Sequence, residues 1–313
     1  MKKKYPVLLL LLCSIFLFNH SSAQQANVSV NPTTGSGNVV IQLYSLSSGQ
    51  ISVPINLIYS GNGIKPKDVE GSAGMGWNIV AGGQVSRVVR GLPDDSYQDN
   101  ANKQRYGWQR APLDTAATKI DSFTIANNGN TCSNETTDIS YINSHFPYRN
   151  DTEPDMFYAN APGLSAQFVW SVASHAFKTI GYQDLVLDYS VDANDLIASF
   201  TITNDKGIKY VFAVPESVTQ KTSAGSQVYF KNKYLQYQNG ITYYDNWYLT
   251  SITDPNGNAV NFMYVTQPQT TGADSVALYL AGSTSYSLQY RILNQITPQR
   301  LDTIKVRDRK SVV

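Results

Sequence analysis

NVVIQLYSLSSGQISVPINLIYSGNGIKPKDVEGSAGMGWNIVAGGQVSRVVRGLP, residues 38–93, decides the fold class of this 313-residue chain. Ile51, Val53, Ile55, Leu57 and Tyr59 alternate there with Ser52, Pro54, Asn56, Ile58 and Ser60. Period two is the mark of a strand with one buried face. Val39, Ile41, Leu43 and Leu46 form an apolar run before it, and Ser47-Ser48-Gly49-Gln50 predicts a hairpin loop between the two. Pro54 has no N–H to give a ladder, which places it at a sheet edge or a bulge. Gly61-Asn62-Gly63 then breaks the strand.

Glycines 71, 74, 76, 82 and 83 follow closely and supply positive φ and close backbone approach. With Trp77, Ile79, Val80, Val85, Val88 and Val89 between and after them, the segment reads as two short strands joined by tight turns, with Trp77 packed under them. A phosphate-cradling loop would need a Gly-x-Gly-x-x-Gly or Gly-x-x-x-x-Gly-Lys pattern opening a helix, and neither occurs.

Outward towards the N-terminus, Lys2, Lys3 and Lys4 precede the twelve-residue apolar run 7–18, and Ser21-Ser22-Ala23 closes it with small residues. This is the layout of a signal peptide (residues 1–23) cleaved after Ala23. The run is shorter than a membrane span needs, and no other segment approaches about 18 apolar residues, so no span is expected after cleavage. Taking the three lysines from 24 basic residues leaves 21 against 23 acidic ones, a formal −2. No basic run remains to track phosphates, which excludes a nucleic-acid footprint. Cys13 leaves with the leader. Cys132 is then alone, reads as a loop cysteine, and allows no internal disulfide. The 21 Tyr, 11 Phe and 4 Trp suit extended sheet surfaces, and equally the exposed aromatics of a sugar-binding face.

Outward towards the C-terminus, residues 94–137 are polar and aperiodic apart from a short helix expected over 111–120. Asn134-Glu135-Thr136 is a glycosylation sequon on paper. Strand signals return in DTEPDMFYANAPGLSAQFVW (151–170), where Asn160 to Gly163 has turn chemistry and predicts a hairpin. Residues 196–212 and 247–265 share one plan. An Ile-Thr strand leads to a turn, Asn204-Asp205-Lys206-Gly207 or Asp254-Pro255-Asn256-Gly257, and an alternating aromatic strand leads away. Asp254, Asn256 and Asn258 have the spacing that opens some calcium loops. Ala259 and Val265 stand where an EF-hand requires Gly and an acid, so a turn with Pro at its second position is the expectation. Leu301 to Val306 reads as one further strand.

No catalytic motif appears. His145 and His175 lack metal-ligand spacing, and no His-Glu-x-x-His, Gly-x-Ser-x-Gly or Cys-x-x-Cys occurs. Asp94-Asp95, after Pro93, reads as a solvated turn. A glycosidase would set its two acids on different strands, which one sequence does not reveal. The residues therefore name no catalytic, cofactor-binding or metal-binding position, and no cofactor.

The ordered set Val53-Pro54-Ile55, Gly74-Met75-Gly76-Trp77, Gly82-Gly83 and Arg87 through Asp94 resembles the N-terminal region of bacterial secreted RHS/YD-repeat proteins. Glu153-Pro154-Asp155-Met156-Phe157-Tyr158 with the following Gly and Phe-Val is a second match, and the two Asx…Gly hairpins resemble degenerate YD repeats. The resemblance covers residues 36–95 well, 150–265 moderately and 96–149 hardly at all. It implies the secreted or cell-surface front end of a longer protein, whose repeats build a β-shell around a toxin or effector. By that resemblance the chain is a non-enzymatic capping or attachment module, its partner the rest of its own longer chain, or a cell-surface protein or glycan. The rival is an extracellular carbohydrate-binding β-module with coplanar exposed aromatics, and a glycoside hydrolase stands third.

The expected fold is all-β: antiparallel sandwich-like or partly open barrel modules built of hairpins. The expected organisation is a leader (1–23), a Gly-rich β segment (24–95), a variable polar insertion (96–149), a hairpin domain (150–306) and a truncated tail (307–313).

Overall fold

The structure, a computed structural model, describes residues 26–30, 36–61, 73–100, 103–110, 151, 153–222, 241–279 and 286–307. Among these residues there is no helix, and every ladder is antiparallel. The expected helix at 111–120, Cys132, the sequon and His145 lie outside the described residues. The chain divides into two units, one within residues 1–45 and 54–81, the other comprising 46–53 and 82–313.

The first unit carries a four-stranded sheet in the order β1 (Ala26–Val30), β2 (Gly37–Ser48), β3 (Ile51–Gly61), β4 (Trp77–Val80). β2 and β3 are the hairpin expected from the alternation, closed by a two-residue turn, Gly49-Gln50, where a four-residue loop was expected. Their ends at Leu46–Val53 belong to the second unit. The alternation is clean only there: Ile51 and Val53 are buried and Ser52 exposed, whereas residues 54–61 are half-buried throughout. Trp77 pairs with Tyr59 across the ladder, with ring centroids 5.0 Å apart.

The two short strands expected here are present as β4 and β5 (Gln84–Val88), but they do not lie together over Trp77, which is itself the first residue of β4. β4 belongs to the first sheet, and β5 lies between two strands of another sheet in the second unit. The cause is steric. A Cβ on Gly83 would stand 2.4 Å from the Asn160 carbonyl oxygen and 2.6 Å from the Ala161 Cβ, so only a glycine lets the chain enter that sheet. Its carbonyl accepts the Leu249 N–H at 2.9 Å.

The second unit's main sheet follows the path β10 (Ala176–Thr179), β9 (Leu164–Ser171), β8 (Met156–Ala161), β5, β14 (Ile241–Thr253), β13 (Lys209–Thr222), β12 (Ile197–Asn204), β11 (Leu185–Val191). β15 (Ala259–Thr266) joins β14 to β18 (Gln299–Arg307). β16 (Thr270–Tyr279) pairs with β17 (Tyr286–Thr297), which pairs with β13. β6 (Tyr97–Asn100) and β7 (Lys103–Tyr106) form a separate ribbon. The path nearly closes into a barrel. Tyr189 of β11 meets Phe177 of β10 edge-on at 5.3 Å and Trp170 of β9 at 5.7 Å, so ring packing joins the two ends that the ladder leaves unpaired.

Alternation fills the interior. β8 buries Phe157, Ala159 and Ala161, and β9 buries Leu164, Ala166, Phe168 and Trp170. Large faces large and small faces small across the ladder: Phe157 opposes Phe168 and Ala159 opposes Ala166. Phe157 and Phe168 stack at 5.4 Å, and Trp247 meets Phe200 edge-on at 4.9 Å. The Trp247 indole N–H is satisfied by the Ile197 carbonyl at 2.7 Å. Burying each such ring contributes about 1.5–3 kcal/mol over leaving it exposed.

Three hairpins of this unit share one turn. Gly207 N–H donates to the Asn204 carbonyl at 2.9 Å and Gly257 N–H to that of Asp254 at 3.0 Å, with both glycines at positive φ. The third copy, which the sequence reading did not single out, is Asp192 to Leu196. There Asp195 N–H donates to the Asp192 carbonyl at 3.0 Å, and Asp195 itself takes φ 62°. In each, the first residue's Oδ1 also accepts the N–H four residues on, from Leu196, Ile208 or Asn258, at 2.9–3.0 Å. This is a three-residue hairpin loop ending in a left-handed residue, locked by an Asx side chain.

Candidate functional site

β5 alternates Val85 and Arg87 inward, so a guanidinium enters the barrel interior with its side chain fully buried. It stands over the Phe157 ring, 5.4 Å from the centroid. Arg87 Nε donates to Asp155 Oδ2 at 2.6 Å, and Nη1 to Asp95 Oδ1 at 2.9 Å and to the Tyr244 carbonyl at 3.3 Å. Burial pulls the Arg87 pKa down, but Asp95, Asp155 and Asp94 together more than offset it and hold the group above its ordinary value.

Around it the loop 90–96 wraps on carboxylates. Asp155 Oδ1 accepts the Arg90 N–H at 2.7 Å and Asp151 Oδ2 the Leu92 N–H at 3.2 Å. Asp95 Oδ2 accepts the Ile197 N–H at 2.8 Å, which ties the loop to β12. Asp94 and Asp155 exchange bonds, each donating its N–H to the other's carboxylate at 2.9 and 3.0 Å. Asp94, Asp95, Asp151 and Asp155 are all at most 1% exposed. The solvated turn expected at Asp94-Asp95 is therefore a buried one: Arg87 and the facing backbone donors replace the water. Burial first, then the neighbouring Asp155 charge, raises the Asp94 pKa well above its ordinary value. Burial also raises that of Asp155, against the opposing pull of Arg87. Asp94, Asp151 and Asp155 each offer an oxygen within 4.8 Å of the other two, the one metal-sized group of carboxylates among the described residues.

A second polar group lies on β13 and β14. The Asn246 amide donates to Glu216 Oε1 at 3.3 Å and to Asp245 Oδ1 at 3.2 Å. The Tyr248 hydroxyl donates to Glu216 Oε2 at 3.0 Å. Burial, then the Glu216 charge, pushes the Asp245 pKa up to about 6. These two acids come from adjacent strands, so no sequence spacing announces them. A cleft of about 440 Å³ in this unit lies beside Asn204, Lys206 and Tyr210 and has no carboxylate, histidine or cysteine in its lining.

The motif residues of the sequence meet in the first cluster. Arg87 and Asp94 come from the stretch 87–94 and Asp155 from the stretch 153–158, 61 positions after Asp94. The calcium-like stretch at Asp254 is a turn. Its carboxylate holds the Asn258 amide at 2.8 Å, the Asn258 N–H and the Gln50 N–H, and these donors, the Asn258 amide foremost, keep its pKa below the usual range. His175 sits exposed in a turn at φ 47°. Exposed Tyr97, Tyr182 and Tyr189 lie on three different segments. No protein-family model, curated protein or solved structure matches the chain. Among the described residues no helix is long and apolar enough to cross a membrane.

Proposed function

We propose that this chain is a non-catalytic structural module, the front end of an exported or surface-held β-shell of the RHS/YD-repeat type, whose partner is the rest of a longer chain. The observation that carries this reading is the threefold recurrence of one Asx-locked hairpin at Asp192, Asn204 and Asp254. A repeat shell grows by adding hairpins of one kind, each burying an aromatic strand against the last. The polar groups of the interior also serve structure. Arg87 Nε and Nη1 bond Asp155, Asp95 and a backbone carbonyl, its Nη2 having no partner among the described residues, and Glu216 bonds Tyr248 and Asn246.

The test is a broad panel of glycans and glycosides. The expected result is neither saturable binding nor release of reducing ends. Saturable binding would replace the structural reading with a carbohydrate-binding one. Hydrolysis lost on Asp245→Asn would replace it with a glycoside hydrolase acting through Glu216 and Asp245.

A further inference from the structure

We propose that Asp94, Asp151 and Asp155 form a binding site for one divalent cation, of the calcium class, buried under the loop 90–96. Two observations carry it. Their carboxylate oxygens lie within 4.8 Å of one another. Calcium holds oxygen ligands at 2.3–2.6 Å, so two ligands on one ion stand up to about 5 Å apart, and this spacing lets one ion reach all three. Second, Asp94 is fully buried, and its Oδ2 makes no hydrogen bond with any described residue, while its Oδ1 is held by the Asp155 N–H. An acceptor buried without a partner is costly, and a cation bound there removes the cost.

The ligand set is all oxygen and all carboxylate, which selects a hard cation over zinc or copper. Calcium fits better than magnesium because it accepts irregular geometry and sheds water readily. The ion would tie Asp151 and Asp155, at the entry to β8, to Asp94 in the loop after β5. It thus joins the two stretches of chain that flank residues 96–149. All three ligands are buried, so the ion enters as the chain folds.

The test refolds the full chain from urea in calcium, in magnesium and in chelator, then measures bound metal and the thermal midpoint. The expected result is one calcium per chain, a midpoint several degrees higher in calcium than in chelator, and a dissociation constant on the order of 10⁻⁵–10⁻³ M. Asp94→Asn should lower calcium affinity at least tenfold. A wild-type chain that folds to the same midpoint in chelator and carries no metal overturns the proposal, and so does a folded Asp94→Asn chain that binds calcium as the wild type does. If that variant does not fold, wild-type protein refolded and crystallised in manganese decides. An anomalous peak among the three carboxylates supports the site, and a crystal of the refolded chain without one there overturns it.

Discussion

Asp94 and Asp155 hold each other by a reciprocal exchange: each backbone N–H donates to the other's carboxylate, at 2.9 and 3.0 Å, across 61 residues of chain. The pair closes the loop after β5 onto the start of β8, and Arg87 reaches Asp155 from the facing side. The interior of this barrel is therefore pinned by a charged cluster at one end and filled by aromatic rings elsewhere.

Removing one partner of a buried ion pair leaves an uncompensated charge, which costs about 3–5 kcal/mol. Arg87→Ala and Asp155→Ala should each lower the unfolding free energy by that amount, and the urea midpoint with it. Arg87→Lys should recover little of the loss, because an ammonium does not reproduce the two-nitrogen fork that reaches Asp95 and Asp155. A urea series on the three variants reads this directly, and wild-type stability in Arg87→Ala would contradict it.

Gly83→Ala should cost about 1–3 kcal/mol, since the added methyl meets backbone and the Ala161 Cβ and must push β5 off β8. Gly37→Ala is the control. Its Cβ would meet nothing within 4 Å, so the urea midpoint should stay put or rise slightly.

Phe157→Ala and Trp247→Ala empty the centre of the ring cluster and should each cost about 3–5 kcal/mol by the same measurement. The Trp247 variant also orphans the Ile197 carbonyl, so it should be the worse of the two.

Two acids give opposite pH signatures. The Asp245 pKa is raised to about 6, so the folded state holds its proton more tightly than the unfolded chain does. Its contribution is fully present below the unfolded value and falls away as pH rises from about 4 to 6, by about 1–2 kcal/mol after solvent screening. Asp254 is shifted down, so its contribution is present above the unfolded value and is lost as pH falls through the lower folded one. Stability differences between wild type and Asp245→Asn, and between wild type and Asp254→Asn, measured against pH, should therefore slope in opposite directions.

The strands β3, β8, β9, β12 and β15 and two of the three Asx hairpins were legible because alternation and turn chemistry are local, whereas β6 and β7 fall where the sequence reads as an aperiodic polar loop, and β10, β11 and β16 carry no signal that singled them out. The third was not, because Asp195 takes the left-handed position that Gly207 and Gly257 hold in the other two. The burial of Asp94 and Asp95 was not legible either. A Pro-Asp-Asp stretch looks solvated until Arg87, Asp155 and the Ile197 N–H arrive from distant segments. Arg87 and Asp155 stand 68 positions apart in the chain, so no local spacing announced the cluster. The place of β5 between β8 and β14 depends on Gly83 meeting Asn160, a contact no periodicity encodes.

The most direct measurement of the structural account is the mass of the natural product. An antibody raised against this chain should detect, in the surface or secreted fraction of the producing cells, a protein far larger than 34.5 kDa in which this region is followed by further Asx–Gly hairpins. A stable exported protein of about this chain's own size, with no such hairpins attached, would contradict it.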